Sequence, residues 1–237
     1  MNFNQATVFV TGTNRGIGRA LLGALKEKGV KRIYAARRTE DLSDIAGDLI
    51  VPVKLDITDL EQVKAAAEQA GDATVLINNA GVLTGGSLLD RPVEEISRNF
   101  ETNFYGTLNM IRHFAPVIER NGGGAIANVL TIVSLASMAG LGGYSASKAA
   151  ALSLTQSARV DLKNKNITVH AVYPGPVDTD MAAEITLPKT SPTDVARAIV
   201  AGIELGAEDI FPDPMSQQLS GLWATNPKEL ERTFASM

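Results

Sequence analysis

Thr11-Gly-Thr-Asn-Arg-Gly-Ile-Gly18 lies between an apolar run, Ala6 to Val10, and a stretch of helical periodicity, Gly16 to Lys28. Strand, glycine-rich turn and helix in that order are what a doubly wound sheet uses to bind a nucleotide diphosphate. Gly12 permits the sharp turn. Gly16 and Gly18 remove Cβ atoms where backbone must approach a pyrophosphate and where helix must pack on strand, while exposed helix N–H groups face the anion. The whole loop, Gly12, Thr13, Asn14, Arg15, Gly16, Ile17 and Gly18, is therefore a candidate binding element. Taken alone, it also suits a flexible strand-to-helix turn. Three residues separate Gly12 from Gly16, unlike the Gly-x-Gly-x-x-Gly of many dinucleotide folds.

Outward from the loop the alternation repeats. Strand-length apolar runs fall at Ala6 to Val10, Arg32 to Ala36, Leu49 to Lys54, Val75 to Asn78, Gly124 to Thr131, Thr168 to Val172 and Asp209 to Phe211. Most are rich in Val and Ile with little polar alternation, which suits strands covered on both faces by helices. Helical periodicity marks Gly16 to Lys28, Leu60 to Ala70, Val93 to Glu119, Tyr144 to Asn164 and Pro192 to Leu205. Thr58 with Glu61, and Ser191 with Asp194, have the spacing of an N-cap and the third helical residue; Pro192 stands where a helix tolerates proline best. Gly29 closes the first helix. Asp180 to Thr190, polar and proline-containing, reads as a mobile loop. The pattern predicts an α/β fold, a Rossmann-type doubly wound parallel sheet of about seven strands in three α/β/α layers, within a single domain over residues 1–237.

Composition narrows the function. The 237 residues are 45% hydrophobic and 20% charged, enough for one sizeable core, and no linker divides them. A net charge of −4, two histidines and no Lys/Arg-rich block argue against nucleic acid or an anionic membrane as the main partner and favour a small molecule. Without cysteine there is no disulfide or thiolate chemistry. The start has no basic region followed by an apolar core, and no run approaches the ~20 apolar residues of a membrane span, so a cytoplasmic protein is expected. His113 and His170 have no carboxylate or histidine neighbour at metal spacing and read as structural, with no metal site.

Tyr144 precedes Lys148 by four residues in Gly143-Tyr-Ser-Ala-Ser-Lys-Ala-Ala150. In a helix, one turn brings the ammonium beneath the phenol. A phenol titrates near pH 10, and a cation about 4 Å away at an effective dielectric near 20 contributes roughly 4 kcal/mol, an upper figure of about three pKa units. Such a Tyr could exchange protons near neutral pH. The same spacing also occurs on ordinary helix surfaces.

With the glycine loop and this pair in view, the chain resembles the short-chain dehydrogenase/reductase family, whose cofactor loop reads Thr-Gly-x-x-x-Gly-x-Gly and whose active site reads Tyr-x-x-x-Lys. The resemblance covers nearly the whole chain. It extends to Asp56 after the third strand, Asn78-Asn79-Ala80-Gly81 after the fourth, Asn103 in the long helix and Pro174-Gly-Pro-Val-Asp-Thr179 after the sixth. It implies a nicotinamide dinucleotide cofactor, oxidation of an alcohol or reduction of a carbonyl, and a homodimer or homotetramer built on the long helices. It also implies that Asp56 receives the adenine amino group with Ile57 beside it, that Asn79, Ala80 and Gly81 border the cofactor, and that Lys148 grips the nicotinamide ribose. Asn103 would support a water-linked proton path near the lysine. Pro174, Gly175, Val177 and Thr179 would wrap the nicotinamide end; the Pro/Gly dipeptide alone would justify only a turn.

The second strand ends in Ala36-Arg37-Arg38, with no acid to accept hydrogen bonds from a ribose diol. Two cations there, with Arg15 able to close on the same group, predict NADP(H), since guanidinium pairs well with phosphate. NAD(H) is the alternative, with Arg37 and Arg38 as solvated turn residues. The family's substrate-orienting Ser, thirteen residues before the Tyr, is here Thr131, which keeps a hydroxyl but adds a methyl. Either Thr131 acts directly and narrows the pocket or Ser134 reaches in as a substrate contact; Thr131 is preferred. Leu83 to Leu89, Leu135 to Gly142 and the loop after Thr179 would form an apolar floor for a small, neutral carbonyl or alcohol, with a light lid between Thr179 and Pro192. A dinucleotide-sensing regulator without turnover is the competing reading from another class. The C-terminal tail from Phe211, with Pro212, Pro214, Leu219, Leu222 and Trp223, reads as packing or subunit contact.

Overall fold

In the computed structural model, which describes residues 1–39 and 47–237, the strands alternate with helices as the hydrophobic periodicity predicts. The strands are β1 Thr7–Thr11, β2 Arg32–Arg37, β3 Ile50–Lys54, β4 Val75–Asn78, β5 Gly124–Val129, β6 Ile167–Val172 and β7 Asp209–Ile210. They form one seven-stranded sheet in the order β3-β2-β1-β4-β5-β6-β7, parallel throughout. The order reverses between β1 and β4, and a crevice opens beyond the carboxyl ends of strands at such a reversal.

The helices are α1 Gly16–Glu27, α2 Leu60–Gln69, α3 Val93–Phe100, α4 Thr107–Arg120, α5 Gly142–Leu162, α6 Pro192–Leu205, α7 Pro214–Thr225 and α8 Pro227–Ala235. Strand periodicity sorts the core into two layers. Val8 and Val10 face α1 and α6, packing with Leu21, Leu25, Ile199 and Ile203. Phe9, between them, faces the other way into Phe114 and Ile118 of α4 and Val63 of α2. Both sides of β1 are buried, so its five residues are all excluded from solvent.

Several local readings need correction. β5 ends at Val129 rather than Thr131, because Thr131 leaves the ladder to cap a 3-10 turn, Ile132–Ser134. The cap of α2 is Asp59, whose side chain accepts the N–H groups of Glu61 and Gln62. Thr58 is occupied elsewhere, donating its hydroxyl to Asp56 at 2.8 Å. Ser191 does cap α6, accepting the Asp194 N–H at 3.1 Å. The C-cap of the first helix is Lys28, and Gly29 stands one residue beyond it with the left-handed φ of +68 that ends a helix. The stretch read as one helix from Val93 is interrupted by a π turn, Glu101–Gly106, between α3 and α4. The C-terminal tail packs, as expected: it forms α7 and α8, with Leu219 buried and Phe211, Leu222 and Trp223 against the same cluster. Among the described residues no helix is long and apolar enough to cross a membrane.

Candidate active site

A cavity of about 600 Å³ follows the carboxyl ends of β1, β2, β4 and β5. Its floor is the glycine loop. Gly12 has φ +71, and a Cβ there would stand 2.8 Å from the Ala80 Cα, so the turn and the residues after β4 touch through bare backbone. A Cβ on Gly18 would run into the Gly12 carbonyl, which keeps the start of α1 pressed on the loop. These are the close approaches that a pyrophosphate cradle requires. Thr11, which sequence reasoning passed over, fixes the arrangement. Its hydroxyl accepts the Asn79 and Ala80 N–H groups at 3.0 and 2.9 Å, while the Asn79 side chain donates back to the Thr11 and Gly12 carbonyls at 2.9 and 3.1 Å.

Gly12, Asn14, Arg15, Gly16, Ile17 and Gly18 all line the cavity. Thr13 does not; it is fully buried and its N–H and hydroxyl both donate to the Ala36 carbonyl, tying the loop to the end of β2. Ala36, Arg37 and Arg38 line one end, facing Asp56 and Ile57. Arg37 is buried and Arg38 exposed. Asp56 receives the Thr58 N–H and hydroxyl, and Ile57 packs against Gly106 in the π turn. Arg15 reaches across the cleft to Asp180 at 2.7 Å, an exposed ion pair joining the glycine loop to the segment after Thr179.

At the opposite end stand Thr131, Tyr144, Lys148, Pro174, Gly175, Val177 and Thr179, all bordering the same cavity, with Asn79, Ala80 and Gly81 between. Tyr144 and Lys148 do lie one turn apart on α5, both buried. The expected lowering of the phenol is not what the free chain shows. Burial pushes Tyr144 upward, opposed only by a hydrogen bond with Thr131, and the Lys148 ammonium, pushed down by burial to about 8, donates to the Val129 carbonyl at 2.8 Å. Desolvation is the dominant influence on both groups.

Asn103 is buried behind the cavity wall, in the π turn. Its amide accepts the Val82 N–H at 3.0 Å and donates to the Val82 carbonyl at 2.9 Å and to Ser147 at 3.0 Å. Ser147 in turn donates to the Tyr144 carbonyl at 2.7 Å. A Cβ on Gly81 would lie 3.1 Å from the Asn103 oxygen and 3.5 Å from the Lys148 nitrogen, so the three meet at one point. Asn99, one turn earlier, clamps Thr84 in the same manner. Neither Ser147 nor Asn99 was legible in the sequence, since both act through the three-dimensional approach of a loop.

The two candidate hydroxyls separate. Thr131 borders the cavity, and its hydroxyl donates to the Pro174 carbonyl at 3.3 Å while accepting the Val133 N–H. The structure does not bring Ser134 to the cavity: its hydroxyl turns back onto the Thr131 carbonyl, as the third residue of a 3-10 turn readily does. Beyond them the wall is aliphatic, with Leu83, Met138, Leu141, Met181, Ile185 and Leu187. His113 bonds to the Asn109 carbonyl and His170 to that of Ala207, and among the described residues no group of three or more His, Cys, Asp or Glu side chains could hold a metal ion.

The family model for short chain dehydrogenase matches residues 6–190. Carbonyl reductase (NADPH) 2 of Sus scrofa is 33% identical over 189 residues, 78% of this chain and 78% of that protein. Probable oxidoreductase EphD of Mycobacterium tuberculosis is 31% identical over 192 residues, 76% of this chain, which spans only 32% of that longer protein. A short chain dehydrogenase from Burkholderia cenocepacia J2315, solved in complex with NADP, superposes with a TM-score of 0.94 at 39% identity over 99% of both chains.

Proposed function

The chain belongs to the short-chain dehydrogenase family, and from that membership we propose an NADP(H)-dependent oxidoreductase acting on a small, uncharged carbonyl or alcohol, with Tyr144 as proton donor and acceptor. The observation that carries the reading is the opening of Tyr144 and Lys148 onto the cleft that also holds the glycine loop and Arg37. NADP in the Burkholderia cenocepacia relative supports the cofactor. Gly12, Gly16 and Gly18 would take the pyrophosphate, and Arg37 and Arg38 the 2′-phosphate, with Arg15 joining once it leaves Asp180. Asp56 and Ile57 would flank the adenine; Asn79, Ala80, Gly81, Pro174, Gly175, Val177 and Thr179 would border the nicotinamide end. When bound, the cofactor supplies or accepts the hydride.

Reduction of a carbonyl leaves charge on its oxygen. Tyr144, held protonated by burial, gives its proton to that oxygen and recovers it in the reverse direction. Lys148 still carries its charge at neutral pH and stabilises the phenolate left behind. Thr131 offers a second hydroxyl to the same oxygen, at the expense of its bond to Pro174. Asn103 holds Val82 and, through Ser147, the first turn of α5. The aliphatic wall favours a neutral, fairly apolar substrate. The same reading places the protein in the cytoplasm; it also makes it a homodimer or homotetramer, for which the exposed Tyr105 of the π turn and Val160 of α5 offer apolar contact surface.

Cofactor titration and a panel of ketones, aldehydes and quinones test this. NADPH should bind more tightly than NADH and be oxidised by members of the panel, and Arg37→Asp should reverse the cofactor preference. Equal affinities would refute the NADP(H) assignment, and tight binding without turnover of any compound would favour a sensor.

A further inference from the structure

Asp213 is only 2% exposed, and among the described residues no ion pair includes it. A buried carboxylate persists only where hydrogen bonds replace its water. One oxygen accepts the Ser216 N–H at 2.9 Å, the bond of an ordinary helix cap at the start of α7. The other accepts the Gly175 N–H at 2.8 Å, which a cap does not need. Gly175 has no side chain to hold the two apart; a Cβ there would lie 2.8 Å from the carboxylate. The adjoining Pro174 carbonyl accepts both the Ile132 N–H at 3.0 Å and the Thr131 hydroxyl at 3.3 Å. A single side chain thus ties α7 to the turn after β6 and, through it, to the residue facing Tyr144.

We propose that Asp213 is a positioning residue that holds the Pro174–Gly175 turn and Thr131 in the alignment hydride transfer requires. Its catalytic consequence rests on the function proposed above. Asp213→Ser keeps a good N-cap but is too short to reach Gly175 as well. Asp213→Asn keeps the shape and the cap, its amide oxygen accepting the local Ser216 N–H, and so sets its NH2 against the Gly175 N–H. Hydrogen exchange of the free protein is read at the Ile132 and Gly175 amides, with β1 amides as reference, beside kcat per cofactor-binding site and the isotope effect with 4-deuterated NADPH. Both variants should exchange faster at Ile132 and Gly175 alone. Their kcat should fall by roughly tenfold or more, with a larger isotope effect, since small misplacements are costly to an aligned transfer. Unchanged exchange at Ile132 in a folded variant overturns the proposal, as does unchanged kcat and isotope effect; if the Ser variant does not fold, the Asn variant decides. A wild-type protein that transfers no hydride would instead refute the proposed function, and the exchange data would still decide the coupling of Asp213 to Thr131.

Discussion

At Lys148 the fold holds an ammonium group in a site that disfavours its charge, and the cost has a pH signature. Its folded pKa is lowered to about 8, whereas the unfolded chain keeps that proton to about pH 10.4. Below pH 8 both states are protonated and the penalty is constant. Between about pH 8 and 10 the unfolded state binds more protons, so stability rises with pH, by at most about 1.4 kcal/mol per pH unit. Above pH 10 the raised phenols of Tyr144 and Tyr173 act in the opposite sense, because the unfolded chain then loses protons first. Urea denaturation from pH 7 to 9.5 should show the rise in the wild type and its loss in Lys148→Met. A wild-type curve parallel to that of the variant would mean that Lys148 titrates normally. The residue pair was legible as a spacing; the balance of attraction against desolvation was not, since it depends on how deeply both groups are buried.

Among the elements, the start of α2 separates pattern from geometry. Thr58 and Glu61 have capping-box spacing, yet Asp56 captures the Thr58 hydroxyl and the cap passes to Asp59, one residue on. Asp59→Ala should lower stability measurably, as loss of an N-cap does, and Thr58→Ala by clearly less. Equal losses in urea denaturation would restore the sequence-based assignment. The last two helices carry comparable signals in the sequence: Asp213-Pro214 with Ser216, and Asn226-Pro227 with Glu229, each place a cap before a first-turn proline. The π turn carried no such mark. It is set by the tertiary fit of Asn103 to Val82 and of Gly106 to Ile57, and helical periodicity runs through it undisturbed.

Across the whole molecule, alternating apolar runs were enough to predict a parallel sheet with helices on both faces, because each strand of such a sheet must be apolar throughout. What they could not predict is the third cluster, where Tyr144, Leu130 and Ile132 pack with Leu219, Leu230 and Phe234 from the chain's last two helices. The far end of the chain backs the candidate catalytic tyrosine. Phe234 is fully buried there, so Phe234→Ala should cost about 3–5 kcal/mol of stability in urea denaturation, and a loss near zero would mean that α8 is not docked. The π turn between α3 and α4 has a consequence of another kind. It holds one residue more than α geometry would use, so the faces before and after it differ in phase by about 100°. Deleting Glu101 or Thr102 would repair the helix between the two clamps and gain backbone regularity. The same edit would rotate Asn99 away from Thr84 relative to Asn103, so a lineage keeping both clamps is barred from that simplification.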